Sequence, residues 1–214
     1  MRILIVDDHM IIRRGLTQIL SEHPRIKNIA EANDGPAAMQ ALRSENFDVV
    51  LLDIALGERD GMDVLKSIRN EFPMLGVIIL SVYPETQFGV RAIKSGANAY
   101  LNKGSSPDVL FDAIFKAASG GIYITPAIAE LLAKNVRQDT EQMPHEALSN
   151  REFQVLQLLA RGHTVSEIAL QLSLSVNTIS TYRSRICEKV GVRSLVELLT
   201  YAMRHQLVPL QGPA

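Results

Sequence analysis

Short aliphatic runs in this chain lead directly into polar residues of a particular kind. RILIV (2–6) is followed by Asp7 and Asp8, DVVLL (48–52) by Asp53, GVIIL (76–80) by Ser81, and NAYL (98–101) by Asn102 and then Lys103. Runs of this kind form the strands of open parallel sheets, which collect ligands at the carboxyl ends of their strands. Three carboxylates gathered there repel and raise one another's pKa unless a cation joins them, and their hard oxygen atoms suit Mg2+. Ser81 adds a hydrogen-bond donor and Lys103 a positive charge for an incoming anion. Together the parts suit phosphoryl transfer onto an aspartate, with a carboxylate nucleophile, a metal ion and a cation for the phosphate oxygens. Taken singly, each has an ordinary role as a turn cap or a solvated surface group. Five such residues on four strand ends favour the collective reading.

The elements needed to position them are present. Strands are expected over 2–6, 27–31, 48–52, 76–80 and 98–101, with helical patterns near 10–21, 35–44, 61–71, 85–95 and 106–118. Continuous hydrophobicity in the third and fourth runs implies burial on both faces. The expected fold is therefore α/β, a doubly wound five-stranded parallel sheet spanning residues 1–120. Residues 121–147 contain the polar stretch NVRQDTEQMPHEA and are expected to be linker, with one short helix capped by Thr125 and begun by Pro126. From 148 to 208 the pattern is all helical. Ser149 with Glu152, and Thr164 with Glu167, read as capping boxes, while Gly162 and Gly191 read as helix stops. Four short helices would make a compact all-α domain.

Composition narrows the setting. A chain of 214 residues fits one ordinary domain plus a smaller one, and 47% hydrophobic residues suffice for two cores. No apolar run approaches the roughly 18 residues of a membrane helix, and the MRILIVDDH start is not expected to be a signal peptide. Cys187 is the single cysteine, so no intramolecular disulfide forms and a cytoplasmic home is expected. Residues 1–124 carry 13 Lys/Arg against 15 Asp/Glu, whereas residues 148–205 carry 7 against 4. The basic excess is thus C-terminal, where ALQLSLSVNTIS has the form of a helix-turn-helix. Its second helix carries small polar residues flanked by cations, suited either to base edges and phosphates or to docking another protein.

The motifs IVDDH, LLDIALGERDG, the serine after VIIL and the lysine of AYLNKG resemble the receiver domain of response regulators, in order, over about residues 1–120. The resemblance implies a CheY-like fold with Asp53 as phosphoacceptor, and Asp7, Asp8, Asp53 and the Ala55 backbone carbonyl around Mg2+. It further implies Lys103 as the phosphate partner, and Ser81 and Tyr100 as the switch pair. That family usually carries proline where this chain has Gly57. His9 is expected only to begin a helix, and Cys187 to be a small core residue.

The run LSNREFQVLQLLARGHTVSEIALQLSLSVNTISTYRSRICEKVGV resembles the LuxR-type DNA-binding domain of NarL/FixJ-type regulators. It implies that Ser180, Thr181 and Ser184 face bases, with Thr178, Arg183, Arg185 and Lys189 nearer the phosphates. Arg183 could instead pack inward. The last helix, with Leu195, Leu198, Leu199 and Ala202, would serve both core and dimer surface. Altogether the resemblance implies a transcriptional response regulator phosphorylated by a sensor histidine kinase, binding double-stranded DNA as a homodimer, with no membrane partner and no dedicated enzymatic turnover. The rivals are a phosphotransferase working through an aspartyl phosphate and an adaptor whose helical domain binds protein.

Overall fold

The computed structural model describes residues 1–56, 59–137, 143–172, 174–205 and 207. Gly57, residues 138–142 of the expected linker and the end of the expected last domain at 208 lie outside them. The chain divides into two compact units, residues 1–138 and 139–214.

In the first unit the strands β1 (Arg2–Val6), β2 (Asn28–Ala32), β3 (Val49–Asp53), β6 (Gly76–Ser81) and β7 (Ala99–Asn102) form a five-stranded sheet in the order β2-β1-β3-β6-β7. Every pairing in it is parallel. A separate two-stranded antiparallel ladder, β4 (Ala55–Leu56) with β5 (Arg59–Asp60), follows β3 at once. Helices α1 (Met10–Ser21), α2 (Gly35–Ser44), α3 (Gly61–Glu71), α4 (Glu85–Lys94), α5 (Pro107–Ala118) and α6 (Pro126–Arg137) complete the unit. β3 and β6 are buried at every residue, as their unbroken hydrophobicity requires. Alternate residues face opposite sides of the sheet. Ile3, Ile5, Val49, Leu51, Ile78, Leu80, Ala99 and Leu101 share one core cluster with Leu20 of α1 and with Leu110, Ala113, Ile114 and Ala117 of α5.

Chain order reverses at β1, which lies between β2 and β3. The crevice of such a sheet therefore opens at the ends of β1 and β3. Register supplies the detail. Val6 pairs with Leu52, so Asp7 and Asp53 are the next residues along each strand; Asp53 pairs with Leu80 and Ser81 with Asn102.

The short helix expected within residues 121–147, capped by Thr125 and begun by Pro126, is present. Residues 126–137 form α6, whose Ile128 is fully buried and which packs on α4 within the first unit. The 310 turn Pro144–Ala147 belongs to the second unit.

That second unit contains α7 (Asn150–Ala160), α8 (Val165–Gln171), α9 (Val176–Val190) and α10 (Leu195–Arg204). Both expected capping boxes form, with Ser149 and Glu152 on α7 and Thr164 and Glu167 on α8 each satisfying the other's backbone N–H. Ser175 and Ser194 cap α9 and α10 through their hydroxyls, and Gly191 ends α9 at φ 78°, a left-handed conformation that favours glycine. Phe153, Val155, Leu156 and Leu159 of α7 are buried, as are Ile168, Ile179, Ile186, Leu198 and Ala202 from the other three helices. Among the described residues no helix is long and apolar enough to cross a membrane.

Candidate phosphoacceptor pocket and nucleic-acid interface

Lys103 is the centre of the first unit's polar pocket. Its Nζ lies 2.6 Å from Asp7 Oδ2 and 2.9 Å from Asp53 Oδ2, and its side chain is only 11% exposed. The contact with Asp7 is a hydrogen bond. The contact with Asp53 is an ion pair that does not meet hydrogen-bond geometry, since Oδ2 has no hydrogen-bond partner among the described residues. Lys103 reaches this point because its backbone N–H donates to the Ser81 carbonyl at 2.7 Å, continuing the β6–β7 ladder by one residue.

Opposing forces set the charge state here. Burial pushes the Asp53 carboxyl above its ordinary value, Lys103 acts against this, and the net direction is upward. Burial alone would lower the Lys103 ammonium, but Asp53 and Asp7 outweigh it and raise its pKa. Two carboxylates around one ammonium leave the pocket a net negative charge that a further cation can balance.

Carboxylate oxygens of Asp7, Asp8 and Asp53, with an atom of His9, lie within 4.8 Å of one another. Hard oxygen donors clustered so closely fit Mg2+. His9 takes part more directly than its expected role at the helix start. Its N–H donates to Asp7 Oδ1 at 2.8 Å, and its Nδ1 stands 2.6 Å from Asp8 Oδ1, a hydrogen bond that needs the proton on Nδ1. Arg13, also missed by motif, donates from Nη1 to the Asp7 carbonyl at 2.7 Å and pairs through Nε with Glu31 at 3.0 Å, fixing the turn from β1 into α1. A cation one helical turn beyond the acidic pair was the available signal. The Ala55 backbone N–H acts on the Asp53 carboxylate as a hydrogen-bond donor.

Gly61 closes the loop beneath Asp53. A Cβ there would stand 2.0 Å from the Asp53 carbonyl oxygen and 2.9 Å from Ile54 Cα, so only glycine permits this approach. Gly61→Ala is expected to cost about 1–3 kcal/mol through overpacking and to displace the Asp53 backbone. Urea unfolding, together with the rate of label uptake from a phosphodonor, measures both effects.

Ser81 is fully buried, and its Oγ accepts the Tyr83 N–H at 3.1 Å. Tyr100, also fully buried, donates its hydroxyl to the Tyr83 carbonyl at 3.0 Å. Burial drives the Tyr100 pKa strongly upward, so the phenol stays protonated. The expected switch pair thus meets at one backbone residue, Tyr83.

In the second unit α8 and α9 form the helix-turn-helix. Ile179, Ile186 and Val190 are buried along one side of α9, and Arg183, half-buried, falls on that side. The opposite side exposes Thr181, Ser184 and Arg185. Ser180 and Thr178 are half-buried, and the Thr178 hydroxyl lies 2.7 Å from the capping Ser175 hydroxyl. Exposed Asn177 lies on the same face as Thr181 and Ser184; the spacing of four and seven residues was its signal. Lys189, expected nearer the phosphates, is exposed on α9 and its Nζ is 2.6 Å from the buried Glu152 carboxylate. Cys187 is half-buried, and burial pushes its thiol upward, away from the reactive thiolate.

Burial alone would raise the Glu152 carboxyl, but Lys189 and the Ser149 N–H outweigh it and hold it below its ordinary 4.5. A depressed folded-state pKa contributes stability that is present above 4.5 and is lost as the pH falls through the lower folded value. Amide exchange in α7 and α9 is therefore expected to quicken below that pH, and Glu152→Gln to flatten the dependence.

The fold and pocket together define a receiver-type phosphoacceptor unit followed by a helix-turn-helix unit. Comparison with known proteins agrees. Residues 3–115 match the response regulator receiver domain, and residues 146–202 match the bacterial regulatory proteins of the luxR family. Response regulator GacA of Pseudomonas aeruginosa is 33% identical over 208 residues, covering 97% of each chain. Response regulator UvrY of Escherichia coli K12 is 34% identical over 206 residues, 96% of this chain and 94% of that one. The structure of RcsB from Salmonella enterica serovar Typhimurium, bound to promoter rprA with the phosphomimetic BeF3−, aligns with a TM-score of 0.60 at 26% identity, covering 95% and 98% of the two chains. The chain belongs to the two-component response regulators of NarL/FixJ type, with a receiver domain and a LuxR-type helix-turn-helix domain.

Proposed function

We propose that Asp53 accepts a phosphoryl group from a sensor histidine kinase and that this changes how the second unit engages double-stranded DNA as a homodimer. The observation that carries the reading is the Lys103 ammonium held between two buried carboxylates at adjacent strand ends, 2.6 and 2.9 Å away. An Asp53 oxygen attacks phosphorus, the phosphorus–nitrogen bond of the phosphohistidine breaks, and the imidazole leaves with the bonding electrons and takes up a proton. Asp7, Asp8, Asp53 and the Ala55 carbonyl would hold Mg2+, which supplies charge neutralisation for the phosphate oxygens. Lys103 pairs with the new phosphate, whose charge is about −2. Ser81 and Tyr100 then rearrange around Tyr83.

On DNA, Asn177, Thr181 and Ser184 form the base-facing side of α9, with Ser180 at its margin, and Arg185 and Thr178 on its phosphate side. Arg183 supports the helix from within, and Lys189 supports it through Glu152. The working division is a receiver over 1–120 and a DNA-binding domain over 148–208. The protein is a cytoplasmic switch with no dedicated turnover of its own. A duplex selected by the protein from a random pool provides the test. Phosphorylation should tighten its binding in wild type and leave Asp53→Asn unchanged; equal affinity in both states of wild type overturns the proposal.

A further inference from the structure

The segment after α5 is fastened to the first unit at two places. Asn98, at the head of β7, receives the Tyr123 N–H on its carbonyl at 2.7 Å and donates from Nδ2 to the Gly121 carbonyl at 2.9 Å. Thr125 then caps α6 and donates its hydroxyl to the Glu85 carboxylate in the first turn of α4. One turn along, the fully buried Ile128 fills the space over Gly89, where an added Cβ would lie 2.8 Å from Ile128 Cδ1 and 2.9 Å from Cγ1. Glycine weakens a helix interior, and Gly89 lies within the ten-residue α4. What it admits is Ile128.

This seat adjoins the switch. Glu85 stands two residues beyond Tyr83, whose N–H is held by Ser81 and whose carbonyl is held by Tyr100. The Tyr83 ring also packs on Phe88, 5.5 Å between centroids, immediately before Gly89. Residues 81–89 thus run from the pocket to the underside of α6. A motion of Tyr83 on phosphorylation would pass to Glu85 and Gly89 along this one short stretch of chain, and α6 is the last helix of the first unit.

We propose that the Glu85–Gly89 face of α4 is a docking surface for α6 of the same chain, and that phosphorylation is transmitted to the second unit by loosening or shifting this seat. The proposal rests on the reading of Asp53 as phosphoacceptor. Its distinctive claim concerns three residues remote from the chemistry, Gly89, Thr125 and Ile128.

The test compares full-length wild type with Gly89→Ala and Thr125→Val. Phosphate uptake from acetyl phosphate with Mg2+, amide exchange of α6, and DNA affinity with and without phosphate are measured on each. Wild type should show an affinity ratio between the two states within the about 5–150-fold range of such couplings. Both variants should take up phosphate as wild type does, show fast exchange in α6 before phosphorylation, and give a ratio below about twofold. Thr125→Val removes the two hydrogen bonds of the Thr125 hydroxyl, to Glu85 and from the Ile128 N–H, without adding bulk inside α4, and keeps the test available if Gly89→Ala disturbs the fold. A wild-type ratio in variants whose α6 exchanges fast overturns the proposal, as does an α6 protected equally in every protein and both states. Absence of phosphate on wild type would instead overturn the phosphoacceptor reading, and the transmission proposal with it.

Discussion

Asp53→Asn is expected to abolish phosphoryl uptake while preserving, or slightly raising, the stability of the metal-free protein. The amide cannot form the acyl phosphate, so the loss of label is complete. The stability effect follows from burial. Asp53 carries a folded-state pKa above its ordinary 3.8, so its proton is held more tightly in the folded chain. Ionising it costs folding free energy as the pH rises from 3.8 through the raised value, and Asn escapes that cost. Lys103 keeps Asp7 as its partner at 2.6 Å, so no buried ammonium is orphaned. Urea unfolding of both proteins at acid and neutral pH, with metal removed, should show wild type losing more stability over that interval than the variant.

Lys103→Ala is expected to have the larger structural effect. Two carboxylates, each 3% exposed, would face one another without their shared cation. Removing one partner of a buried pair costs about 3–5 kcal/mol. The raised Lys103 pKa means that its contribution is fully present below its ordinary 10.5 and is lost only as the pH rises through the higher folded value, so neutral pH exposes the whole deficit. Added Mg2+ should restore part of it by binding the same carboxylates, an effect absent in a Lys103→Ala/Asp53→Asn double variant with one charge fewer. Phosphorylation should also slow, by about 100-fold, because a preorganised cation for the transferring phosphoryl group is gone. Thermal unfolding with and without Mg2+, and the rate of label uptake, measure the two parts.

Patterned hydrophobicity predicts much of this architecture because burial and hydrogen-bonding periodicity coincide in it. The expected helices at 10–21, 35–44 and 61–71 match α1, α2 and α3 residue for residue. Four of the five strands run one residue farther than their apolar runs, to Ala32, Asp53, Ser81 and Asn102. Hydrophobicity reports burial, whereas a strand continues while its ladder does; Asp53 still pairs with Leu80 and Ser81 with Asn102. This extension brings Asp53 and Ser81 onto the ladder, and the apolar pattern stops just short of it.

The β4–β5 ladder, two residues on each side, is too short for any periodicity to signal. Other omissions share a cause, which is contact between residues distant in sequence. The pairing of Lys189 with Glu152, 37 residues earlier and 2.6 Å away, leaves no local sign in the sequence. The local pattern of α4 gives no reason for Gly89; Ile128 supplies one, because it occupies the space a side chain there would need. Residues 121–147 read as linker with one short helix begun at Thr125 and Pro126; that helix is α6, and its anchoring through Thr125 and Ile128 to partners in α4 is the part the sequence does not show.

The central claim is that Asp53, and no other carboxylate of the pocket, carries the phosphate. Full-length protein incubated with acetyl phosphate and Mg2+ can be reduced with borohydride, which converts an aspartyl phosphate to homoserine, and mapped by mass spectrometry. The predicted result is conversion at position 53 alone, and none in Asp53→Asn. Conversion at Asp7 or Asp8, or equal phosphate uptake by the variant, would contradict it.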